Sequence, residues 1–384
     1  MIQITKPARC CGCTACAAGC PHDAISMVGD SLGFPYPQVD PAKCVECGLC
    51  DKVCAFVPDV QHHKSMSKDV RIEVEAVRHK DMEVVAASQS GGAFTALSDH
   101  ILDDGGVVYG AAYRQDHTVG HISVVSKSER GALRGSKYTQ SDMDGIFRSV
   151  KEDLKAGLKV MFTGTPCQVA GLKSYIPKSL QDGLVLVDFI CHGVPSPAVW
   201  KDYLKYMSRK GNILKATFRD KEIGGWKVHR ESFVYENGRK LTPDTYRVLF
   251  YKNIMLRHSC AVCPYDAVSH KSDVTLADFW GVDEAVPSMD SDEGTSMVIC
   301  NTSKGRELLD ATLGSLEVKP AVLDHDFMSR RNPNLVGPAR IYKDRMKFEQ
   351  EYAEKGFLHV ARKWGDLGLR YKLWQLKEYI KDRI

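Results

Sequence analysis

The chain has 384 residues and carries 52 basic against 48 acidic side chains, a formal net charge of +4. A charge so nearly balanced argues against a nucleic-acid-binding protein, which concentrates lysine and arginine on one face. The length exceeds that of one typical domain, so we expect more than one folded unit. Fourteen cysteines, with no recognisable signal peptide and no run of about 18 apolar residues, predict thiolate ligands in a reducing cytoplasm and no transmembrane segment.

Two dense cysteine runs occupy residues 10–54. The first is Cys10-x2-Cys13-x2-Cys16-x3-Cys20 followed by proline, and the second, which begins at Cys44, repeats every cysteine spacing. This spacing is typical of bacterial two-cluster ferredoxins, in which the last cysteine of each run ligates the other 4Fe–4S cluster. Structural zinc is the alternative, but zinc motifs seldom hold four cysteines so densely.

This crossed ligation predicts two 4Fe–4S sites, which we name by their cysteines. The first cysteine site consists of Cys10, Cys13, Cys16 and Cys54. The second cysteine site consists of Cys20, Cys44, Cys47 and Cys50. Cys11 is surplus to the pattern, and we expect it to be a non-ligand thiol. We therefore predict a small α+β, ferredoxin-like electron-transfer domain over residues 1–60 and a polar linker over residues 61–69.

The following region alternates helix and strand signals. Ser90-Gly91-Gly92 precedes an amphipathic helix, and strands are predicted at 107–109 and 121–126. Asp142 or Asp144 is a candidate N-cap for the helix that comes next. These signals favour an α/β arrangement in which helices cover a sheet.

A buried strand at 160–162 leads directly into a helix. Thr165 is a good N-cap, and Pro166 suits the first helical position. Unpaired backbone N–H groups at such a turn point outward, so residues 163–168 form a candidate anion site.

Strand and helix signals continue to the end of the chain. Strands are predicted at 184–187, 273–280 and 296–300, helices from Pro197 and Thr245, and a hairpin with its turn at Asn237-Gly238. The alternation predicts an α/β (α+β) domain over residues 70–340. Residues 341–384 predict a basic helical tail, whose apolar stripe from Leu369 to Ile380 packs on its own domain or else on a membrane or partner.

A third group of cysteines lies at the ends of predicted elements. The third cysteine site consists of Cys167, Cys191, Cys260 and Cys263. Four thiols from three places suit either a 4Fe–4S cluster or zinc, and we favour a third cluster because two others already need an electron source. Unrelated thiols, or Cys167 as a nucleophile at a helix N-terminus, are the alternatives. Cys300 lies in an apolar strand and is expected to be a small buried hydrophobe.

Five sequence blocks, in order along the chain, resemble the coenzyme F-420 hydrogenase/dehydrogenase beta-subunit family. They are Ser90–Thr95, Gly135–Tyr138, Thr163–Gln168, Cys191–Pro195 and Ala277–Gly281. The resemblance covers residues 1–340 and implies a flavoprotein with FAD, or alternatively FMN. It also implies an iron–sulfur cluster beside the flavin, with ligands where the third cysteine site falls, and a two-cluster N-terminal segment is common among family members.

The resemblance further implies which residues contact the flavin. They are Ser90, Gly91, Gly92, Ser136, Lys137, Tyr138, Gln140, Thr163, Gly164, Thr165, Gln168 and Asp278. Lys137 would stabilise negative charge on a reduced flavin, and a surface ion pair is the alternative interpretation. The catalytic candidates are Lys137, Asp188 and His192, and Asp278 is a further group for proton transfer.

These features predict an iron–sulfur flavoprotein oxidoreductase. It would exchange hydride with a small organic donor or acceptor, F-420 or another, and single electrons with ferredoxin or another redox protein. One alternative is a non-catalytic electron-relay subunit that ferries electrons for a partner enzyme and has no substrate of its own. The resemblance suggests polysaccharide biosynthesis for that partner, since many relatives occur near cell-surface polysaccharide genes. Another alternative is a zinc-stabilised binding protein.

Overall fold

The computed structural model describes residues 2–368, so the predicted stripe from Leu369 to Ile380 lies outside the described residues. The described part is a mixed α/β structure with one large and two small sheets. Within it, no helix is both long enough and apolar enough to cross a bilayer.

The helices and strands are numbered along the chain. The helices are α1 (Ala15–Ala18), α2 (Leu49–Lys52), α3 (Phe56–His62), α4 (Met82–Ala87), α5 (Ala93–Asp103), α6 (Lys127–Arg130), α7 (Ile146–Lys155), α8 (Pro166–Tyr175), α9 (Pro197–Ser208), α10 (Lys221–Gly224), α11 (Thr245–Tyr251), α12 (Val282–Ala285), α13 (Ser303–Ala311), α14 (His325–Arg331) and α15 (Arg345–Lys363). The strands are β1 (Ile25–Gly29), β2 (Pro35–Val39), β3 (Arg71–His79), β4 (Val107–Tyr113), β5 (Val119–Val124), β6 (Val160–Thr163), β7 (Leu184–Phe189), β8 (Ile213–Thr217), β9 (Ser232–Tyr235), β10 (Lys240–Leu241), β11 (Val274–Asp278), β12 (Ser296–Cys300) and β13 (Leu316–Asp324).

The two cysteine runs fold as structural repeats on either side of the β1–β2 hairpin. Each run ends in a single helical turn, α1 or α2, and the residue before each turn has φ +71°: Thr14 in the first run and Gly48 in the second. Two positions earlier the backbone is again left-handed, at Gly12 with φ +71° and at Glu46 with φ +53°. The matching backbone follows from the matching cysteine spacing, because each run must wrap three thiols around one centre.

The large sheet has the strand order β13-β3-β12-β11-β7-β6-β4-β5. Four consecutive strands, β11, β7, β6 and β4, are mutually parallel, and most of their apolar side chains are buried, as expected of strands covered on both faces. The carboxyl ends of parallel strands meet at one edge of the sheet, the edge at which α/β proteins place ligands. The segments after β6, β7 and β11 therefore converge there.

A second core joins the small β8–β10 sheet to α9, α11 and α15. Trp200 and Tyr203 of α9 pack against Tyr246 of α11 and Phe357 of α15. Phe34, from the segment between the cysteine runs, is buried in the same core. Burying each such ring contributes about 1.5–3 kcal/mol, so the N-terminal segment and the C-terminal helix are both fixed to the body of the protein.

Most of the predicted elements after residue 90 are confirmed, but the cap of α7 is wrong. The residue before α7 is Gly145, with φ +72° and no side-chain cap. Asp142 instead accepts a hydrogen bond from the Asp144 amide, which makes a turn before the helix. The start of the segment predicted as a linker is structured, because α3 extends to His62 and Met66 is buried.

Candidate functional site

Two cavities in the N-terminal segment each contain one of the predicted cysteine sites. One is lined by the whole first cysteine site and by Cys11, together with apolar side chains such as Ile2, Met27 and Phe56. The other is lined by the whole second cysteine site, together with Ile25, Val39 and Leu49. Each cavity thus combines three cysteines of one run with the last cysteine of the other, the arrangement that crossed ligation requires. That these thiols bind iron stays a prediction.

The second cysteine site is the more open of the two. Cys47 is exposed, and its neighbours Val45 and Leu49 are also exposed. Two backbone amides approach its sulfurs, since the Ile2 N–H donates to Cys50 Sγ at 3.3 Å and the Ala24 N–H to Cys20 Sγ at 3.4 Å. Such amide donors stabilise negative charge on ligand sulfurs.

The four thiols of the third cysteine site are brought together from three segments. Cys167 lies in the first turn of α8, Cys191 follows β7, and Cys260 and Cys263 belong to or follow the 3-10 helix His258–Val262. Burial raises the pKa of Cys191 well above its usual range, and the charges of the other three thiols act in the same direction. The Val194 N–H donates to Cys260 Sγ at 3.3 Å.

The cysteine sites offer thiolate ligands, which both zinc and iron–sulfur clusters accept. Among residues 2–368, no group of three or more His, Cys, Asp or Glu side chains is arranged to hold a single metal ion. A cluster at the third cysteine site stays a prediction, with zinc as the alternative.

Cys11 lies between the first and third cysteine sites. Its thiol is buried in an apolar cluster on which Cys13 of the first site and Cys167 of the third both pack. The neighbouring Cys11 thiol is the main cause that lowers the pKa of Cys167 to about 7, although burial opposes it. In the second run the equivalent position is Val45, which faces solvent. The first and third sites are therefore adjacent, and the second site is on the far side.

Helix α8 packs directly on the first cysteine loop. A Cβ added at Gly171 would lie 2.6 Å from Cys13 Sγ and 2.9 Å from Cys13 Cβ. One turn earlier on α8 is Cys167, so the same helix carries a ligand of the third site and the contact surface for the first.

We expect Gly171→Ala to destabilise the protein and to release iron from the first cysteine site. Helix propensity alone favours alanine by about 1 kcal/mol, but forcing a methyl group into this contact costs about 1–3 kcal/mol. Gly131→Ala is the matched control, because nothing lies within 4 Å of its added Cβ. Thermal unfolding and iron per chain, measured anaerobically on both variants, check this; a stabilised Gly171→Ala with full iron contradicts the contact.

The residues predicted to contact a flavin do meet at the carboxyl edge of the sheet, but several of their polar groups are already engaged. Gln168 accepts from the Thr165 N–H at 2.9 Å and so closes the capping box of α8. Thr163 donates to the Tyr109 carbonyl. Gly91 is needed for packing, since a Cβ there would lie 2.2 Å from the Val77 carbonyl oxygen. Neighbouring Ser90 has its hydroxyl 2.9 Å from that of Ser296.

Lys137 and the polar groups around it at this edge are called the Lys137 region below. Lys137 Nζ donates to the carbonyls of Ala132 and Arg134 at 3.0 and 2.7 Å, and burial lowers its pKa to about 7. No ion pair of Lys137 with a carboxylate occurs among the described residues, so the surface ion pair is not what the structure shows there. The buried atoms Tyr113 Oη, His121 Nδ1 and Arg134 Nε have no partner within the described part of the chain.

Tyr138 and Asp278 belong to a cluster of aromatic and charged side chains. Tyr138 stacks on His229 with ring centroids 4.8 Å apart. Asp278 pairs with Arg219 at 2.5 Å, and the guanidinium of Arg219 lies 5.6 Å from the centre of the Trp280 ring. Arg219 and His229 were not singled out from the sequence, because no motif surrounds them, and Trp280 lies in the Ala277–Gly281 block but was assigned no role.

The remaining candidates have internal partners. Asp188 is 1% exposed, accepts from Thr275 Oγ1 at 2.6 Å and lies 2.8 Å from His270 Nδ1. His192 Nε2 is 2.7 Å from Asn253 Oδ1. Gln140 is turned toward the first cysteine loop, where its Oε1 accepts from Arg257 at 2.9 Å. Cys300 is only partly buried and lies near Arg306, Glu75 and Asp310.

Two protein families match this chain. Residues 9–56 match the 4Fe-4S dicluster domain, and residues 157–323 match the family described as the C terminus of the coenzyme F420 hydrogenase/dehydrogenase beta subunit. The chain therefore carries a 4Fe–4S dicluster domain at residues 9–56 and, at residues 157–323, a segment that matches the C terminus of the F420 hydrogenase/dehydrogenase beta subunit. The family resemblance and the ferredoxin-like N-terminal domain predicted from the sequence are thereby confirmed.

Individual proteins resemble this chain to different extents. The coenzyme F420-dependent sulfite reductase of Methanocaldococcus jannaschii is 23% identical over 387 aligned positions, covering 96% of this chain and 55% of the relative, so the chain spans about half the length of that relative. A component of the Na(+)-translocating ferredoxin:NAD(+) oxidoreductase complex of Acetobacterium woodii is 42% identical over 57 residues, 14% of this chain and 16% of that component. A chain of the F420-reducing NiFe hydrogenase complex from Methanosarcina barkeri aligns with a TM-score of 0.47 and 20% identity, covering 79% of this chain and 96% of that one.

Proposed function

We propose that this chain is an iron–sulfur flavoprotein oxidoreductase of the cytoplasm that passes electrons between a small organic hydride donor or acceptor and a one-electron carrier protein. The observation that supports it most is the position of Cys11, which lies in a buried cluster on which both Cys13 and Cys167 pack. Sites that would hold separate clusters are thus neighbours within one protein. Clusters exchange single electrons and a flavin exchanges hydride.

In this proposal the first and third cysteine sites are enclosed within the protein, and electrons enter or leave through the second cysteine site. Cys11, Phe56, Ala170 and Tyr265 form one buried apolar cluster against Cys13, Cys167 and Cys263, which excludes water between the two sites. The second site is exposed at Val45, Cys47 and Leu49, and ferredoxin or another redox protein would approach it there. Because the ligand Cys47 is already exposed among apolar side chains, a redox protein would reach it without a conformational change.

The site of hydride exchange, which we call the hydride end, would be the Lys137 region. Three buried polar atoms without partners in the described chain, Tyr113 Oη, His121 Nδ1 and Arg134 Nε, fit a polar ligand, because unsatisfied buried polar groups cost about 1–3 kcal/mol each. Lys137, with its pKa lowered to about 7 by burial, would hold developing negative charge or donate a proton from Nζ. We propose FAD as the occupant, with FMN as the alternative.

Tyr138, His192 and Asp188 would have different roles in this arrangement. Tyr138 would offer an aromatic face to the flavin in the Lys137 region. The ring centroid of Phe250 lies 4.8 Å from that of Tyr138. His192 adjoins Cys191 and would hold or move a proton at Nε2, where Asn253 now contacts it. Asp188 is enclosed by Thr275 and His270, so we propose that it positions the β7–β11 edge and does not meet the substrate.

Metal and flavin content tests the proposal directly. After anaerobic purification and reconstitution, we expect about twelve irons per chain, four for each cluster, one flavin, and reduction of the clusters by a hydride donor. A plateau near eight irons with one zinc would overturn the third cluster. Absence of bound flavin would overturn the hydride end, and flavin without reduction by any hydride donor would favour the electron-relay subunit.

A further inference from the structure

Arg257 is a buried cation that links the N-terminal segment to the third cysteine site. The side chain is 1% exposed and precedes Cys260 by three residues. Its Nε donates to the Cys10 carbonyl at 2.8 Å, its Nη2 to the Pro35 carbonyl at 2.8 Å, and its Nη1 to Gln140 Oε1 at 2.9 Å. The guanidinium also lies 4.3 Å from the centre of the Tyr36 ring. The planar fork is thus fixed on every side.

Within residues 2–368, all of the hydrogen-bond acceptors of Arg257 are neutral. Among residues 2–368 no carboxylate forms an ion pair with it, although nearby Arg345 has Glu349 as a partner. A buried charge without a counter-charge is strongly unfavourable. The groups near it that would carry negative charge are cluster-bound thiolates, since its positive charge acts to lower the pKa of Cys10 and Cys13 of the first cysteine site and of Cys167 and Cys260 of the third.

The first cysteine loop is shaped to receive this guanidinium. A Cβ at Gly12 would lie 2.8 Å from Arg257 Nη1 and 2.8 Å from Gln140 Nε2. The equivalent residue of the second run is Glu46, which adopts the same left-handed backbone and is exposed. Glycine is therefore required only in the first run, whose loop contacts Arg257. The two runs share the same fold and differ in what their loops pack against.

We propose that Arg257 is the shared counter-charge of the first and third cysteine sites: it fixes the first loop against the third site and raises the reduction potentials of both relative to the second site. A cation stabilises the more negative, reduced form of a nearby cluster, and it does so most strongly in a buried environment of low effective dielectric constant. Electrons would then collect on the inner pair of sites before they leave through the exposed second site. This inference rests on the proposed function only in requiring clusters at all three sites.

The test compares Arg257→Gln with Arg148→Gln by redox titration followed by electron paramagnetic resonance, using the second-site signal as the internal reference. Arg148 is the matched control because it also donates to carbonyls of the N-terminal segment, those of Ala17, Ala18 and Cys20, but is exposed, so solvent screens its charge, and is paired with Asp23. We expect Arg257→Gln to shift electrons from the first and third sites toward the second by about tenfold, which is about 59 mV for one electron. Arg148→Gln should leave all three potentials at their parent values.

Arg257→Lys keeps the test decisive if the glutamine variant cannot retain iron. Lysine keeps the charge without the planar fork, so its potentials should stay near those of the parent even if thermal stability falls. The inference is overturned if Arg257→Gln retains iron with unchanged potentials, or if Arg257→Lys retains iron with potentials lowered as far as loss of the charge would lower them. A parent protein with only about eight irons, two clusters, would instead show that the proposed function had failed.

Discussion

Replacing Cys260 and Cys263 together with serine is expected to remove one cluster and leave two. The variant should retain about eight of about twelve irons, at four per cluster, because the third cysteine site loses two of its four thiolates. The first and second sites share no cysteine with it, so their signals should persist and remain reducible by dithionite. Iron and sulfide per chain, with the spectra of the reduced protein, measure this.

The same variant separates a broken electron path from a collapsed protein. A hydride donor that reduces the clusters of the parent should no longer reduce the two N-terminal clusters on the same timescale, while dithionite still does. Cys300→Ser is the control, because Cys300 ends β12 beside Arg306, away from the third site, and it should keep all of the iron. Parent-rate reduction in the double variant would mean that the third site is structural.

The cysteine partition could be predicted from the sequence because it depends on spacing that is written locally. Two runs with identical intervals place three thiols around one centre, and the exit cysteine of each run is the one left over. The surplus of Cys11 was also visible, but its position between Cys13 and Cys167 was not. That contact joins residues more than 150 positions apart, and no local pattern contains it.

The neighbouring strands β3 and β13 of the large sheet show two different reasons for a missed element. β3 does alternate, with Ile72, Val74 and Ala76 buried and charged residues between them, so a usable strand signal was present. β13 has no such signal, because it is an outer strand with Pro320 in its middle and only Leu316 and Leu323 buried. Strand propensity and hydrophobic periodicity are detectable in a sequence where side chains are buried. A strand that is buried only at its two ends therefore gives a weak signal.

Arg219 and Arg257 could not be found from the sequence for a different reason. An arginine in a sequence is a solvated charge by default, and its burial depends on acceptors supplied by distant segments. Arg257 meets the carbonyl of Cys10, 247 residues away, and Arg219 meets Asp278, 59 residues away. The sequence therefore predicted the thiol ligands of the candidate sites but not the charges that surround them.

Exchanging the two exit cysteines separately should release different sets of thiols. In Cys20→Ser we expect the second cysteine site to lose its cluster, so that Cys44, Cys47 and Cys50 become open to alkylation while Cys10, Cys13 and Cys16 stay protected. In Cys54→Ser the pattern should reverse. The reason is geometric, since Cys20 lines the cavity of the second run and Cys54 that of the first.

Mass spectrometry of the alkylated, digested protein reads this result one cysteine at a time. The parent protein, kept anaerobic and fully loaded, is the control, and its eight N-terminal ligand cysteines should stay unmodified. Each variant should lose about four irons, one cluster. The two losses should differ in their consequences, because the first loop is held by Arg257 and α8 whereas the second loop is exposed at Cys47. Cys20→Ser should therefore leave the rest of the protein at its parent thermal stability, and Cys54→Ser should lower it. Modification of Cys10, Cys13 and Cys16 in Cys20→Ser would show that each run closes its own site and that the crossed arrangement is wrong.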